Sequence, residues 1–173
     1  MTRHHALKDN EDTTPQVTEE KLRLLRNKIH YLMGLYPSYQ GALLPSLYAA
    51  QEIFGYISPE AIGEVSNITG VSAAQIKGVA CFYAMYKTKP MGRHIIQLCT
   101  NVACMIEGAE DLVAYLGEKY GLTPGGTTQD GRFSLVIMEC IGACGTAPSM
   151  ILDSDSYDNL TKDRLDTLLE SYK

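Results

Sequence analysis

The chain has 173 residues, 45% hydrophobic and 20% charged, with no Trp, 3 Phe and 11 Tyr. That length suits one ordinary domain or two small ones, and a chain this size buries a core without disulfide staples. A net charge of −5 and a pI of about 5.3 count against a nucleic-acid binder, and no run of 18 apolar residues provides a membrane span.

Residues 1–17 read as a mobile polar tail. Asp9, Glu11 and Asp12, with no apolar core around them, predict neither a signal nor a transit peptide, which favours a cytoplasmic protein. His4-His5 reads as a solvated pair, because a metal site needs converging ligands. From Thr18 the period becomes helical. Leu22, Leu25, Ile29, Leu32 and Tyr36 recur at three- and four-residue steps, with Glu19 and Glu20 in the first turn and Pro37 as the stop. A second helix is expected over Leu43–Phe54, with Pro45 in its first turn and Gly55 as its end. Ser58-Pro59-Glu60 opens a third, closed by Gly70. Ser72-Ala-Ala-Gln75 has capping-box spacing and starts a fourth, reaching about Tyr83. Residues 18–86 thus read as a four-helix unit.

The third and fourth helices also have the outline of a helix-turn-helix. A DNA-reading second helix carries polar and basic residues at its exposed start, whereas this one offers Ala73, Ala74, Gln75 and a single Lys77. Tight packing of two short helices is the simpler reading. Lys77, Lys87, Lys89 and Arg93 form an acid-free basic stretch, read as a solvated face or a protein contact. Cys81, within an apolar helical run, reads as a small buried hydrophobe outside any site.

After a linker over Lys87–Gly92 the pattern turns α/β. His94–Leu98 reads as a strand delivering Cys99 at its C-terminal end, where α/β proteins place their sites. One helix follows, with Ile106, Ala109, Leu112, Val113 and Leu116 on its inner face and Gly121 as its stop. Pro124-Gly-Gly126 and Gln129-Asp-Gly131 signal turns, and Phe133–Met138 is a second strand, delivering Cys140. Ser149–Leu152 is a third strand, and Asp153–Ser156 turns it back towards a short edge strand near Tyr157. Thr161 caps a last helix with Leu165, Leu168, Leu169 and Tyr172 on one face.

Four of the five cysteines fall in two loops, Cys99-x4-Cys104 and Cys140-x3-Cys144. Four thiolates complete the tetrahedra of a two-iron, two-sulfide cluster, and small intervening residues such as Ala103, Gly142 and Ala143 let main-chain N–H groups approach the sulfurs. Electron transfer on a 2Fe–2S cluster is the reading this favours. Zinc is the first alternative, although its knuckles favour a two-residue gap. A thiol–disulfide oxidoreductase lacks its usual C-x-x-C, and a Cys–His hydrolase built on His94 and Cys99 lacks a third orienting group.

Three stretches go further. Cys99-Thr-Asn-Val-Ala-Cys-Met-Ile-Glu-Gly108, Gly126-Thr-Thr-Gln-Asp-Gly-Arg-Phe133 and Glu139-Cys-Ile-Gly-Ala-Cys-Gly-Thr-Ala-Pro148 resemble the small 2Fe–2S subunit of the NADH-dehydrogenase module of respiratory complex I, a thioredoxin-like ferredoxin family within the NADH-quinone oxidoreductases. The closing Leu160-Thr-Lys-Asp-Arg-Leu165 fits as well, so the resemblance covers residues 18–173. It implies an α+β fold, with a helical domain over 18–90 and a thioredoxin-like 2Fe–2S domain over 91–173. It also implies Cys99, Cys104, Cys140 and Cys144 as ligands of one 2Fe–2S cluster, and Pro148 in the cis form.

The implied partners are a flavoprotein subunit that binds FMN and NADH, and a larger iron–sulfur subunit. Neither nucleic acid nor direct membrane insertion is expected. The implied place is the cytoplasm, on the peripheral arm of a complex attached to the inner face of the cytoplasmic membrane. The chain itself shows no Gly-x-Gly-x-x-Gly fingerprint, consistent with NADH binding elsewhere. The same architecture serves the diaphorase parts of NAD-reducing hydrogenases and NAD-dependent formate dehydrogenases. A free-standing thioredoxin-like ferredoxin carrier is the alternative of another class, for which residues 92–173 alone would suffice.

Overall fold

A computed structural model of the chain describes residues 17–172. The expectations for the tail up to Gln16 and for His4-His5 lie outside the described residues. The chain divides into two compact units between Pro90 and Met91.

The first unit holds four helices, each started by a side chain that accepts a backbone N–H left unpaired at a helix N-terminus. Thr18 caps α1 (Glu19–Leu35) through Lys21 N, and Ser38 caps α2 (Tyr39–Phe54) through Gly41 N. Ser58 caps α3 (Pro59–Thr69) through Ala61 N, and Ser72 caps α4 (Ala73–Phe82) through Gln75 N. Gly55 and Gly70 end α2 and α3 in left-handed conformations. Leu25 and Ile29 of α1, Leu47 and Phe54 of α2, Val65 of α3 and Ile76 of α4 meet in one apolar core. Arg26 ties α1 to α3 by a two-pronged bond to Glu64, at 2.9 and 2.8 Å, and holds that carboxyl below its usual range.

Two expectations fail here. Helix α2 starts at Tyr39, upstream of the expected Leu43, so Pro45 stands inside the helix rather than in its first turn. The ring leaves the Gly41 carbonyl without its helical donor; one residue on, the Ser46 hydroxyl bonds the Ala42 carbonyl at 2.7 Å. Cys81 is exposed, not a buried hydrophobe. Ile76 and Ala80 define the buried stripe of α4, and Cys81 lies one residue past it, beside Phe82, which is 80% exposed.

The second unit is a four-stranded mixed sheet in the order β2-β1-β3-β4, built from β1 (His94–Cys99), β2 (Phe133–Met138), β3 (Met150–Leu152) and β4 (Asp155–Tyr157). Strands β1 and β2 run parallel, with His94 opposite Phe133 and Cys99 opposite Met138; the other pairings are antiparallel. The expected single helix after β1 is two, α5 (Val102–Ile106) and α6 (Ala109–Tyr120), separated by Gly108 at φ 90°. Ile106 is accordingly 73% exposed instead of facing the core. Leu112 and Leu116 of α6 and Leu165 and Leu169 of α7 (Lys162–Ser171) pack on Ile96, Leu98, Leu135 and Leu152 of the sheet.

Asp166 fastens α7 to α6. It accepts from Lys119, from the Tyr120 hydroxyl at 2.6 Å and from the Tyr115 hydroxyl at 2.7 Å, and these donors, Lys119 foremost, lower its pKa to about 2. Among the described residues no helix is long and apolar enough to cross a membrane.

Gly92 closes against the start of β2. Its N–H donates to the Ser134 hydroxyl at 2.7 Å, and a Cβ there would stand 2.9 Å from the Phe133 carbonyl carbon and 3.0 Å from the Gly131 oxygen. Backbone cannot swing aside as a side-chain tip can, so overpacking follows. Gly92→Ala should destabilise the chain by about 1–3 kcal/mol in denaturant unfolding; an unchanged midpoint would mean that the turn yields freely.

Candidate functional site

The parallel pairing of β1 and β2 brings both cysteine loops to one end of the sheet. Cys99 is the last residue of β1, and Cys140 follows β2 by two residues. The β1 end is pinned on both sides: Cys99 N–H donates to the Ser149 carbonyl at 3.1 Å and Thr100 N–H to the Met138 carbonyl at 3.2 Å. Strand alternation sends Leu98 into the sheet core and Cys99 to the other face. There Cys99 packs with Cys104 and Ala109, and with Ile141 and Ala147 of the second loop.

The first loop turns at Asn101, whose side chain accepts from Val102 N–H at 2.7 Å and starts α5, placing Cys104 one turn in. Cys99 and Cys104 lie within hydrogen-bond reach of each other, both buried. Burial pushes the Cys99 thiol pKa up, while the amides of Asn101 and Ile141 act the other way by favouring the thiolate. In the second loop, Gly142 is at φ 81°, a conformation that a side chain would strain, and its N–H donates to Cys140 Sγ at 3.4 Å. Cys144 heads a single 3₁₀ turn, Cys144–Thr146, which leads to the cis Ala147–Pro148 bond expected from the resemblance. Cys140 and Cys144 are exposed.

None of the five cysteines is in a disulfide. Cys99, Cys104, Cys140 and Cys144 are four soft sulfur donors carried on two neighbouring loops, with backbone N–H groups facing two of the sulfurs. That chemistry fits a 2Fe–2S cluster, in which each iron takes two thiolates. Among the described residues no three His, Cys, Asp or Glu side chains gather round a single point. His94 is not a partner of Cys99: it stands at the far end of β1, five residues or about 16 Å away, where its Nδ1 meets Asp153 Oδ2 at 2.8 Å.

Sequence reading misses Ser149. It reads there only as the first residue of a strand, yet its carbonyl holds Cys99 N–H and its hydroxyl lies 3.5 Å from Cys104 Sγ. A β-strand returning beside β1 directly after the second cysteine loop is the available signal.

Comparison with known proteins bears on the family of the chain. The model of the thioredoxin-like [2Fe-2S] ferredoxin family matches residues 29–173. An NADH-quinone oxidoreductase subunit of Rhizobium meliloti (strain 1021) is 40% identical over 149 residues, covering 86% of this chain and 89% of the relative. One of Escherichia coli (strain K12) is 34% identical over 165 residues, covering 95% and 99%. Among solved structures, the NAD+-reducing [NiFe]-hydrogenase in its H2-reduced state superposes with a TM-score of 0.65 at 25% identity; the match covers 75% of this chain but only 22% of the hydrogenase chain. With the family model spanning most of its length and relatives of this identity nearly coextensive with it, the chain belongs to the thioredoxin-like [2Fe-2S] ferredoxin family.

Proposed function

We propose that this chain is the electron-transfer component of an NADH:quinone oxidoreductase, with Cys99, Cys104, Cys140 and Cys144 holding one 2Fe–2S cluster. The observation that carries this is the convergence of two cysteine-bearing loops at one sheet end, in a chain coextensive with its Escherichia coli relative. When bound, such a cluster takes up and returns one electron at a time. The residues do the rest. Cys99 and Cys104 supply a buried pair of thiolates, Cys140 and Cys144 an exposed pair, and the Asn101, Ile141 and Gly142 amides offset negative charge on the sulfurs.

NADH gives up two electrons as hydride, so a flavin must stand between it and a one-electron acceptor. The proposed partner is therefore a flavoprotein subunit binding FMN and NADH, with a larger iron–sulfur subunit beyond it. In this reading residues 18–90 and 91–173 are the two domains of a peripheral subunit, held at the cytoplasmic face of a membrane-bound complex. The hydrogenase superposition supports a second reading, in which the same protein serves the diaphorase part of an NAD-reducing hydrogenase.

The purified chain should be reddish-brown, and metal and sulfide analysis should give about two irons and two sulfides per chain, as a two-iron cluster on four thiolates contains; one zinc and no sulfide would sink the proposal. Ser in place of any one of the four cysteines substitutes a harder, more basic ligand and should abolish the cluster or shift its potential, whereas Cys81→Ser should keep the reduced EPR signal. Loss of the signal in Cys81→Ser, with one of the four tolerating Ser, would overturn the ligand set. NADH added to the isolated chain should leave the visible absorbance unchanged, and bleaching should need the flavoprotein. Bleaching without it would point to a nucleotide site on this chain.

A further inference from the structure

Ser149 is 1% exposed and stands between the two cysteines of the first loop. Its carbonyl takes the Cys99 N–H at 3.1 Å, and its hydroxyl lies 3.5 Å from Cys104 Sγ, a hydrogen-bond distance for the larger sulfur atom. Among the described residues Cys104 is the hydroxyl's partner. In the free chain either atom could donate, but a thiolate bound to iron has no proton, so only the Ser149 O–H can then be the donor. A buried hydroxyl with no water to turn to keeps that bond.

We infer that the Ser149 hydroxyl, through its bond to Cys104, raises the reduction potential of the cluster this site holds. The inference rests on the ligand reading above. Reduction adds negative charge that spreads onto the ligand sulfurs. A donor dipole aimed at a sulfur strengthens as that charge grows, and so favours the reduced form over the oxidised one. Burial increases the effect, because no water screens the dipole. The amides facing Cys99 and Cys140 belong to the backbone and are untouched by a change at residue 149, whereas the Cys104 contact is made by the Ser149 side chain. Residue 149 is thus a position where substitution alters the potential without altering the fold of the loops. Ser149 is a positioning and tuning residue, not a ligand.

The test is a redox titration of the full chain loaded with its cluster, followed by visible absorbance and by EPR. Ser149→Ala removes the hydroxyl and leaves the carbonyl bond to Cys99 in place; its midpoint should move to a more negative potential. Ser149→Thr restores a hydroxyl and should return the midpoint towards that of the unmodified chain. Ser134→Ala removes another buried hydroxyl of the same unit, one that bonds Gly92 and Thr127 away from the cysteines, and should leave the midpoint where it was. Should the alanine chain fail to retain its cluster, Ser149→Gly gives the same measurement. A midpoint unchanged or more positive in the hydroxyl-free variant overturns the inference alone, as does an equal shift in Ser134→Ala. An unmodified chain that takes up no two-iron cluster overturns the ligand reading with it.

Discussion

The parallel ladder between β1 and β2 is the constraint on which the site depends. Parallel strands point their C-terminal ends the same way, and a parallel pair requires a crossover connection instead of a tight turn. The register, Cys99 opposite Met138, then fixes how far each chain runs before it leaves the sheet. A slip of one residue would carry Cys99 to the core face and Leu98 to the site. The apolar alternation of Ile96 and Leu98 against Leu112, Leu116 and Leu165 makes such a slip costly, so sheet packing and site geometry are one specification.

The crossover itself contributes to the site. Splitting it into α5 and α6 at Gly108 lets the first five residues turn independently of the longer helix. Cys104 is thereby brought under the sheet end while Ala109 begins the helix that covers the core. An unbroken helix would have brought Ile106 into line with Val113, seven residues on; the break leaves it in solvent.

The fold was legible wherever a local rule decided it. Ser58, Ser72 and Thr161 cap the helices as expected, because a capping side chain and the N–H it accepts lie three residues apart. Strand β2 runs over the expected residues, its apolar run being bounded by Gly131 and by Cys140. What failed was tertiary or depended on which of several competing signals prevailed. Pro45 suggested a helix start, but Ser38 offered an earlier cap and the proline was absorbed. Cys81 looked apolar in a row of apolar neighbours, and periodicity could not say which side of so short a helix would be covered. The cysteine spacing exposed the candidate ligands, yet nothing local revealed that Ser149 and the Ile141 amide would come to rest beside Cys104 and Cys99.

The four thiols are unequal in their access to solvent, with Cys99 and Cys104 inside and Cys140 and Cys144 outside. Thiolates exchange between donors by associative attack, which requires an approaching group to touch the sulfur or its metal. On the proposed ligand reading, a chelator or peroxide in solution can touch Cys140 and Cys144 but not Cys99 and Cys104. Chemical wear on the site would therefore begin on the second loop.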